Sequence, residues 1–150
     1  MRKFNLLALI IAIFLTACNS SHSTTANALS KEIRVCPQCN MELAPSNIHS
    51  AYLQKGDDIY YFDDIGCMVL WSHDNNVDTH RAKVFSLDTH KYIDAASASY
   101  TMGEKTPMSY GFSAYEKSVD GAMDFDEISI KILRGEHMAN PKIRKQVLGY

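Results

Sequence analysis

Three cysteines in the middle of this 150-residue chain carry its clearest chemical signal. Cys36 and Cys39 form a Cys-x-x-Cys motif, a spacing that turns both sulfur atoms toward the same side of a tight loop. Met41 follows two residues later and can bring a thioether to the same place. Thiolate and thioether sulfur are the ligands that soft Cu(I) prefers over harder ions. The residues alone therefore indicate either a metal site or a disulfide between Cys36 and Cys39.

One feature of the sequence favours a metal over a redox disulfide, and another favours Cu(I) over zinc. Residues 40–45 lack helical periodicity, whereas thioredoxin-like motifs lie at the start of a helix. A zinc site would need four thiolate or imidazole ligands, and the chain has no second Cys-x-x-Cys motif or closely spaced histidine pair to complete one. Cu(I) is therefore the ion that the motif predicts best.

Cys67 is a third candidate ligand. An aspartate at position 63 or 64 is expected to cap a helix, which places Cys67 in the first turn, where the helix dipole stabilises a thiolate. A cysteine knuckle, a hairpin and a helix-borne cysteine, in that order, resemble a treble-clef metal site that lacks one ligand. The alternative is a buried cysteine that only packs. Asp63 and Asp64 could also form a carboxylate pair, although capping accounts for them more simply.

Met108 is the remaining candidate ligand. It lies in a loop flanked by proline and glycine, whereas Met68 and Met123 fit helix or core positions. A loop methionine can bind a soft metal, or it can simply fill a gap in the packing. The histidines show no paired spacing and are interpreted as surface or core residues.

Local patterns predict the elements that must position these residues. Residues 50–53 and 59–62 are expected to be strands joined by the turn sequence Lys-Gly-Asp-Asp, and the apolar spacing from Ile65 predicts a helix. A second strand-rich block follows at residues 82–87, 100–102 and 110–115.

Two further helices are marked by their ends. Asp124 as N-cap and Glu127 three residues later form a capping box, and Gly135 ends that helix. Asn140-Pro141 begins a last helix, which Gly149 ends. The predicted class is therefore α+β, with strands preceding a helix in two successive blocks.

The N-terminal residues are typical of an exported lipoprotein. Arg2 and Lys3 precede an apolar run from Leu6 to Thr16, which is shorter than the roughly 20 residues that a membrane-spanning helix needs. Leu15-Thr16-Ala17-Cys18 resembles a lipobox, so Cys18 is expected to be acylated and to anchor the protein to a membrane. We predict a signal peptide at residues 1–17, a flexible tether at 18–30 and one domain at 31–150.

Export would place the domain in the periplasm, where disulfides are permitted. Asn19 gives no Asp-type retention signal, which favours the outer membrane over the inner one.

Loss of Arg2 and Lys3 with the signal peptide changes the formal charge from -2 to -4, so nothing in the charge balance predicts binding to nucleic acid. With Cys18 lipidated, three cysteines remain, and at least one is unpaired within the chain.

Residues 35–115 resemble the NosL family of lipid-anchored, copper-binding accessory proteins of nitrous-oxide reductase. The family motif is usually Cys-x-x-Cys-Gly-Met, and Asn40 stands here where glycine is usual; asparagine tolerates a positive φ better than most residues. The resemblance weakens toward the C-terminus and does not extend to Cys67. The segments that carry it are Cys36-Pro37-Gln38-Cys39-Asn40-Met41, Phe62-Asp63-Asp64, Tyr92-Ile93-Asp94-Ala95 and Thr106-Pro107-Met108.

The resemblance implies a pair of small ββαβ-like units, distantly similar in fold to organomercurial lyase, and no catalytic residues. It points to Met41 and Met108 as copper ligands. It also implies delivery of Cu(I) to the copper-sulfide centre of the reductase, with an ABC-transporter complex as a further partner. Two other functions stay open: a thiol–disulfide oxidoreductase that uses Cys36 and Cys39, and a metal-free envelope interaction module.

Overall fold

The predicted hairpin is the start of a four-stranded antiparallel sheet. In the computed structural model, which describes residues 34–150, β1 (Ala51–Lys55) pairs with β2 (Asp58–Phe62) along its whole length. Gly56 makes the turn at a φ of 62°, which a residue without a Cβ adopts at no steric cost. Strands β3 (Lys83–Phe85) and β4 (Tyr92–Asp94) complete the sheet in the order β2-β1-β3-β4.

Helix α1 (Ile65–Asp74) follows β2 directly and is buried over most of its surface. Asp64 is its N-cap, and the Asp64 carboxylate accepts a hydrogen bond from the Gly66 N–H at 3.0 Å. A helix buried on most sides needs partners on several faces, and α1 contacts β1, β2 and elements of the second half of the chain. Its buried residues are Ile65, Gly66, Cys67, Met68, Val69, Trp71 and Ser72.

The second half has a smaller sheet and two helices. After a short 3₁₀ turn (Ala95–Ser97), β5 (Ser99–Met102) and β6 (Phe112–Tyr115) form an antiparallel pair. Helices α2 (Phe125–Leu133) and α3 (Pro141–Leu148) follow, and both begin at the predicted caps. The class is α+β, as the sequence predicts.

The helices and strands of the structure differ from the expected ones at three places. β4 forms at residues 92–94, where no strand is predicted, because three residues are too few for an alternating pattern and the pairing with β3 defines the strand. β6 begins at residue 112, after Gly111 at a φ of 88°. The second unit is ββαα, with the helix predicted at Asn140-Pro141 as its last element, whereas the family resemblance implies a ββαβ-like unit.

A buried apolar cluster runs from the cysteine knuckle through α1 to α2, and Cys36 and Cys67 belong to it. A parallel bridge between Ser86 and Ala114 joins the ends of the two sheets. Within residues 34–150, no helix is both long and apolar enough to cross a membrane. The predicted signal peptide, the lipidation site at Cys18 and the tether lie outside the described residues.

Candidate metal centre

The Cys-x-x-Cys motif forms the tip of a short loop closed by backbone hydrogen bonds. The Cys36 N–H donates to the Met41 carbonyl at 2.8 Å, and the Asn40 N–H donates to the Cys36 carbonyl at 2.9 Å. On either side, Val35 and Glu42 form an antiparallel bridge. Asn40 has a φ of 59°, in the left-handed region that glycine adopts freely and asparagine tolerates. The loop is therefore a knuckle held by its own backbone.

The fold brings Cys67 and Asp63 to this knuckle. One ligand atom from each of Cys36, Cys39, Asp63 and Cys67 lies within 4.8 Å of all the others. Four ligands at about 2.3 Å from a tetrahedral ion would be about 3.8 Å apart, so small side-chain movements would close this group on one metal. Three thiols and a carboxylate with this spacing could hold a metal ion.

The segment between β2 and α1 supplies half of the group. Asp63 follows the last residue of β2, and Cys67 is the third residue of α1. Cys67 therefore lies in the first helical turn, as predicted, where the positive end of the helix dipole favours a thiolate. Knuckle, hairpin and helix thus follow the treble-clef order, and Asp63 stands where the sequence left one ligand missing.

The two sulfur atoms on the inner side form a hydrogen-bonded pair. Cys36 and Cys67 are both 0% exposed, and neither is in a disulfide. The hydrogen bond from the Cys67 thiol is the main reason that the pKa of Cys36 falls to about 6, although burial opposes the shift. Donating that bond, together with burial, raises the pKa of Cys67. Further backbone N–H groups stabilise the Cys36 thiolate, those of Asp63, Cys39 and Gln38.

Cys39 is the outer sulfur of the group. Its side chain is partly exposed, and its thiol lies 3.3 Å from each carboxylate oxygen of Asp63, to which it donates. Burial is the main reason that the pKa of Cys39 rises to about 12. A metal ion would bind the thiolate, so loading the centre releases protons.

Asp63 is the member that the sequence did not assign to the group. The sequence offers either Asp63 or Asp64 as the cap, and only one residue can be the N-cap. Asp64 takes that role, which leaves Asp63 to face Cys39. Two consecutive aspartates before a helix, of which only one can be the N-cap, were therefore the sequence signal that the other could join the metal group.

The two predicted methionine ligands lie in different environments. Met41 is 44% exposed, and its carbonyl closes the knuckle. Met108 is half-buried against the apolar core, and its N–H donates to the Asp64 carboxylate at 3.1 Å. No histidine of residues 34–150 joins the cluster.

Comparison of the chain with protein-family models, with curated proteins and with solved structures found no significant match. The function of the centre has to follow from its own chemistry, which is that of three free thiols and one carboxylate.

Proposed function

We propose that this chain is a Cu(I)-binding metallochaperone whose cysteines, Cys36, Cys39 and Cys67, hold the ion. The observation that carries the proposal is the convergence of three free sulfur atoms, two fully buried and one partly exposed. Thiolate sulfur is the ligand type that Cu(I) prefers. The outer sulfur of Cys39 gives a partner's ligands a point of entry, so that the ion can leave by ligand exchange.

The carboxylate of Asp63 is the fourth ligand that a zinc ion would require. Three thiolates and one carboxylate make a complete tetrahedral set for Zn(II), whereas Cu(I) is satisfied by two or three sulfur atoms. In a copper centre, Asp63 would stay outside the coordination sphere, and the hydrogen bond that it accepts from the Cys39 thiol would exist only in the metal-free protein. Comparison of the two ions therefore tests the proposal directly.

Two local features support the family-level part of the proposal. Asn40 gives the knuckle the left-handed backbone of a glycine at that position, and the Thr106-Pro107-Met108 segment is hydrogen-bonded to the start of the helix that carries Cys67. On the strength of this resemblance, the protein would be anchored through Cys18 to the outer membrane and face the periplasm. It would deliver Cu(I) to the copper-sulfide centre of nitrous-oxide reductase, with an ABC-transporter complex as a further partner.

A thiol–disulfide oxidoreductase is the second candidate, favoured by the low pKa of Cys36. Such an enzyme needs a thiolate that a substrate disulfide can reach. Here the acidic thiol of Cys36 is fully buried, while the accessible thiol of Cys39 has a raised pKa. This arrangement fits metal binding better than disulfide exchange, and a metal-free interaction module would need no convergence of three thiols.

The test is an anaerobic titration of the full chain carrying Cys18→Ser, with a chromophoric Cu(I) chelator as competitor. We expect one Cu(I) per chain, binding far tighter than that of Zn(II), and proton release on loading. Cys36→Ser and Cys39→Ser should each lose most of the affinity. Zinc binding as tight as Cu(I) binding, or parent-like affinity in both variants, would contradict the proposal. Disulfide exchange by the metal-free protein that depends on Cys36 would support the oxidoreductase instead.

A further inference from the structure

The carboxylate of Asp64 makes contacts that helix capping does not require. Asp64 is 0% exposed, and one of its oxygens caps α1 through the Gly66 N–H. The other oxygen accepts hydrogen bonds from the Thr106 hydroxyl at 2.5 Å and from the Met108 N–H at 3.1 Å. These donors lie 42 and 44 residues further along the chain. The second oxygen therefore joins two distant segments.

The segment that Asp64 holds is a closed loop, residues 103–111, called here the Met108 loop. The N–H groups of Gly103 and Glu104 both donate to the Gly111 carbonyl, at 2.9 and 3.3 Å. The Ser109 N–H donates to the Thr106 carbonyl at 3.0 Å, and the Gly111 N–H donates to Thr106 Oγ1 at 3.1 Å. The Thr106 hydroxyl thus links the interior of the loop to Asp64.

Tyr110 places the Met108 loop beside the metal centre. Its ring lies against Gly66 in the first turn of α1, so closely that a Cβ at that glycine would overlap the ring. Gly66 is followed directly by Cys67, so the Tyr110 ring lies against the helical turn that supplies this cysteine.

We infer that Asp64 is a positioning residue, which holds the Met108 loop on the first turn of α1 and thereby limits access to the metal centre. Each lost acceptor would leave a buried donor unpaired, which destabilises the docked position of the loop relative to an open one. The part of this inference that concerns metal release rests on the proposed function, but the position of the loop can be measured without any metal.

Position 106 offers a matched pair of variants. Thr106→Val keeps a branched side chain but has no hydroxyl, so it loses the bonds to Asp64 and Gly111, whereas Thr106→Ser keeps both. Asp64→Asn keeps one oxygen for the cap but has an amide NH₂ in place of the second oxygen, and that group cannot accept a hydrogen bond. All three are made in the full chain with Cys18→Ser, so that three thiols remain.

The first measurement uses metal-free protein and initial rates of alkylation by iodoacetamide, resolved by mass spectrometry. We expect Cys67 to react about tenfold faster in Thr106→Val and Asp64→Asn than in the parent, the effect of losing one net hydrogen bond. Thr106→Ser should react like the parent, and Cys39, already partly exposed, is the internal reference. Parent-like alkylation of Cys67 in folded Thr106→Val would overturn the inference.

Hydrogen exchange in the Cys18→Ser parent provides a test that needs no loop variant. The Met108 amide donates to a buried carboxylate and should be strongly protected. Rapid exchange of that amide would show that the loop is not held and would overturn the inference even if Asp64→Asn fails to fold.

The second measurement follows release of bound Cu(I) to an excess of bicinchoninate. Thr106→Val and Asp64→Asn should release the ion about tenfold faster than the parent and Thr106→Ser, with one Cu(I) per chain in each. Parent-like release from Thr106→Val, in a protein that binds Cu(I), contradicts the inference. A parent that binds no Cu(I) contradicts the proposed function, and the alkylation rates then decide the role of Asp64.

Discussion

The two strand–strand–helix units of this protein use the same local signal in opposite environments. Both α1 and α2 begin at an aspartate whose carboxylate accepts a hydrogen bond from a backbone N–H in the first turn. Asp124 is exposed, and α2 buries one face, composed of Phe125, Ile128 and Ile132. Asp64 is fully buried, and α1 buries seven of its ten residues.

This difference between the two caps shows that an N-cap predicts where a helix begins but not what surrounds its first turn. The start of α2 faces solvent, so its cap has one local task. The start of α1 lies between the knuckle and the Met108 loop. Cys67 can therefore serve as a metal ligand, while Asp64 holds the Met108 loop by hydrogen bonds. The candidate metal centre lies in the unit whose helix start is enclosed.

Removal of a sulfur from the enclosed helix start should have the largest effect. Cys67→Ser should weaken Cu(I) binding at least about 100-fold, as much as Cys36→Ser, because a ligand within 4.8 Å of the others is lost. Ser72→Ala, a change at another buried position of α1, is the control and should bind like the parent. Parent-like affinity in Cys67→Ser, measured by chelator competition, would mean that this cysteine only packs.

The two caps can be compared directly by alanine substitution. Asp124→Ala should lower the free energy of unfolding by about 1 kcal/mol, the usual value for an N-cap. Asp64→Ala should lower it by about 2–4 kcal/mol, because the buried donors of Thr106 and Met108 also lose their acceptor. Urea unfolding at neutral pH measures both, and equal losses would show that burial of the cap adds no stability.

Gly66→Ala tests the packing of the enclosed first turn. Alanine is the better helix former, but its Cβ would overlap the Tyr110 ring, so we expect a net loss of about 1–3 kcal/mol in the free energy of unfolding. Ser129→Ala, on the partly exposed α2, should change it by no more than about 0.5 kcal/mol. In a Tyr110→Ala background, Gly66→Ala should become neutral or stabilising; an unchanged loss there would assign the effect to another contact.

Met108→Ala examines whether the second unit contributes a ligand to the first. We expect Cu(I) affinity to fall moderately, by about tenfold, and to depend more steeply on pH, because a thioether keeps its lone pairs at low pH where thiolates become protonated. Met123→Ala is the control for lost packing. If Met108→Ala binds Cu(I) like the parent at neutral and acid pH, the centre contains only cysteine ligands.

The smallest expected effect concerns two partly buried histidines, His49 and His137. His49 shares a hydrogen bond with Ser113 at 3.2 Å, and the His137 ring lies 4.7 Å from that of Tyr110. Burial lowers the pKa of both histidines in the folded protein. The unfolded chain therefore takes up protons first as the pH falls below about 6.5, and stability present above that value is lost. His49→Gln with His137→Gln should flatten this part of the urea stability profile, and an unchanged slope would contradict the assignment.

Local sequence was enough to predict most of the elements and the cysteine knuckle. The Lys-Gly-Asp-Asp turn, the caps at Asp124 and Asn140 and the helix end at Gly149 all agree with the structure. Each signal lies within a few residues of the element that it determines, so no knowledge of the fold is needed to interpret it. The lipid anchor and the copper partner stay predictions, since the first concerns residues outside 34–150 and the second rests on resemblance.

Only the tertiary structure decided which side chains meet. The sequence predicts a cap at Asp63 or Asp64 and leaves Cys67 as either packing or ligand; the fold turns Asp63 to Cys39 and brings Cys67 to Cys36. The hydrogen bonds between Asp64 and the Met108 loop join residues that are more than 40 positions apart in the sequence. Periodicity and capping describe neighbours along the chain, whereas such contacts depend on how β1, β2 and α1 pack against the second unit, which no short pattern encodes.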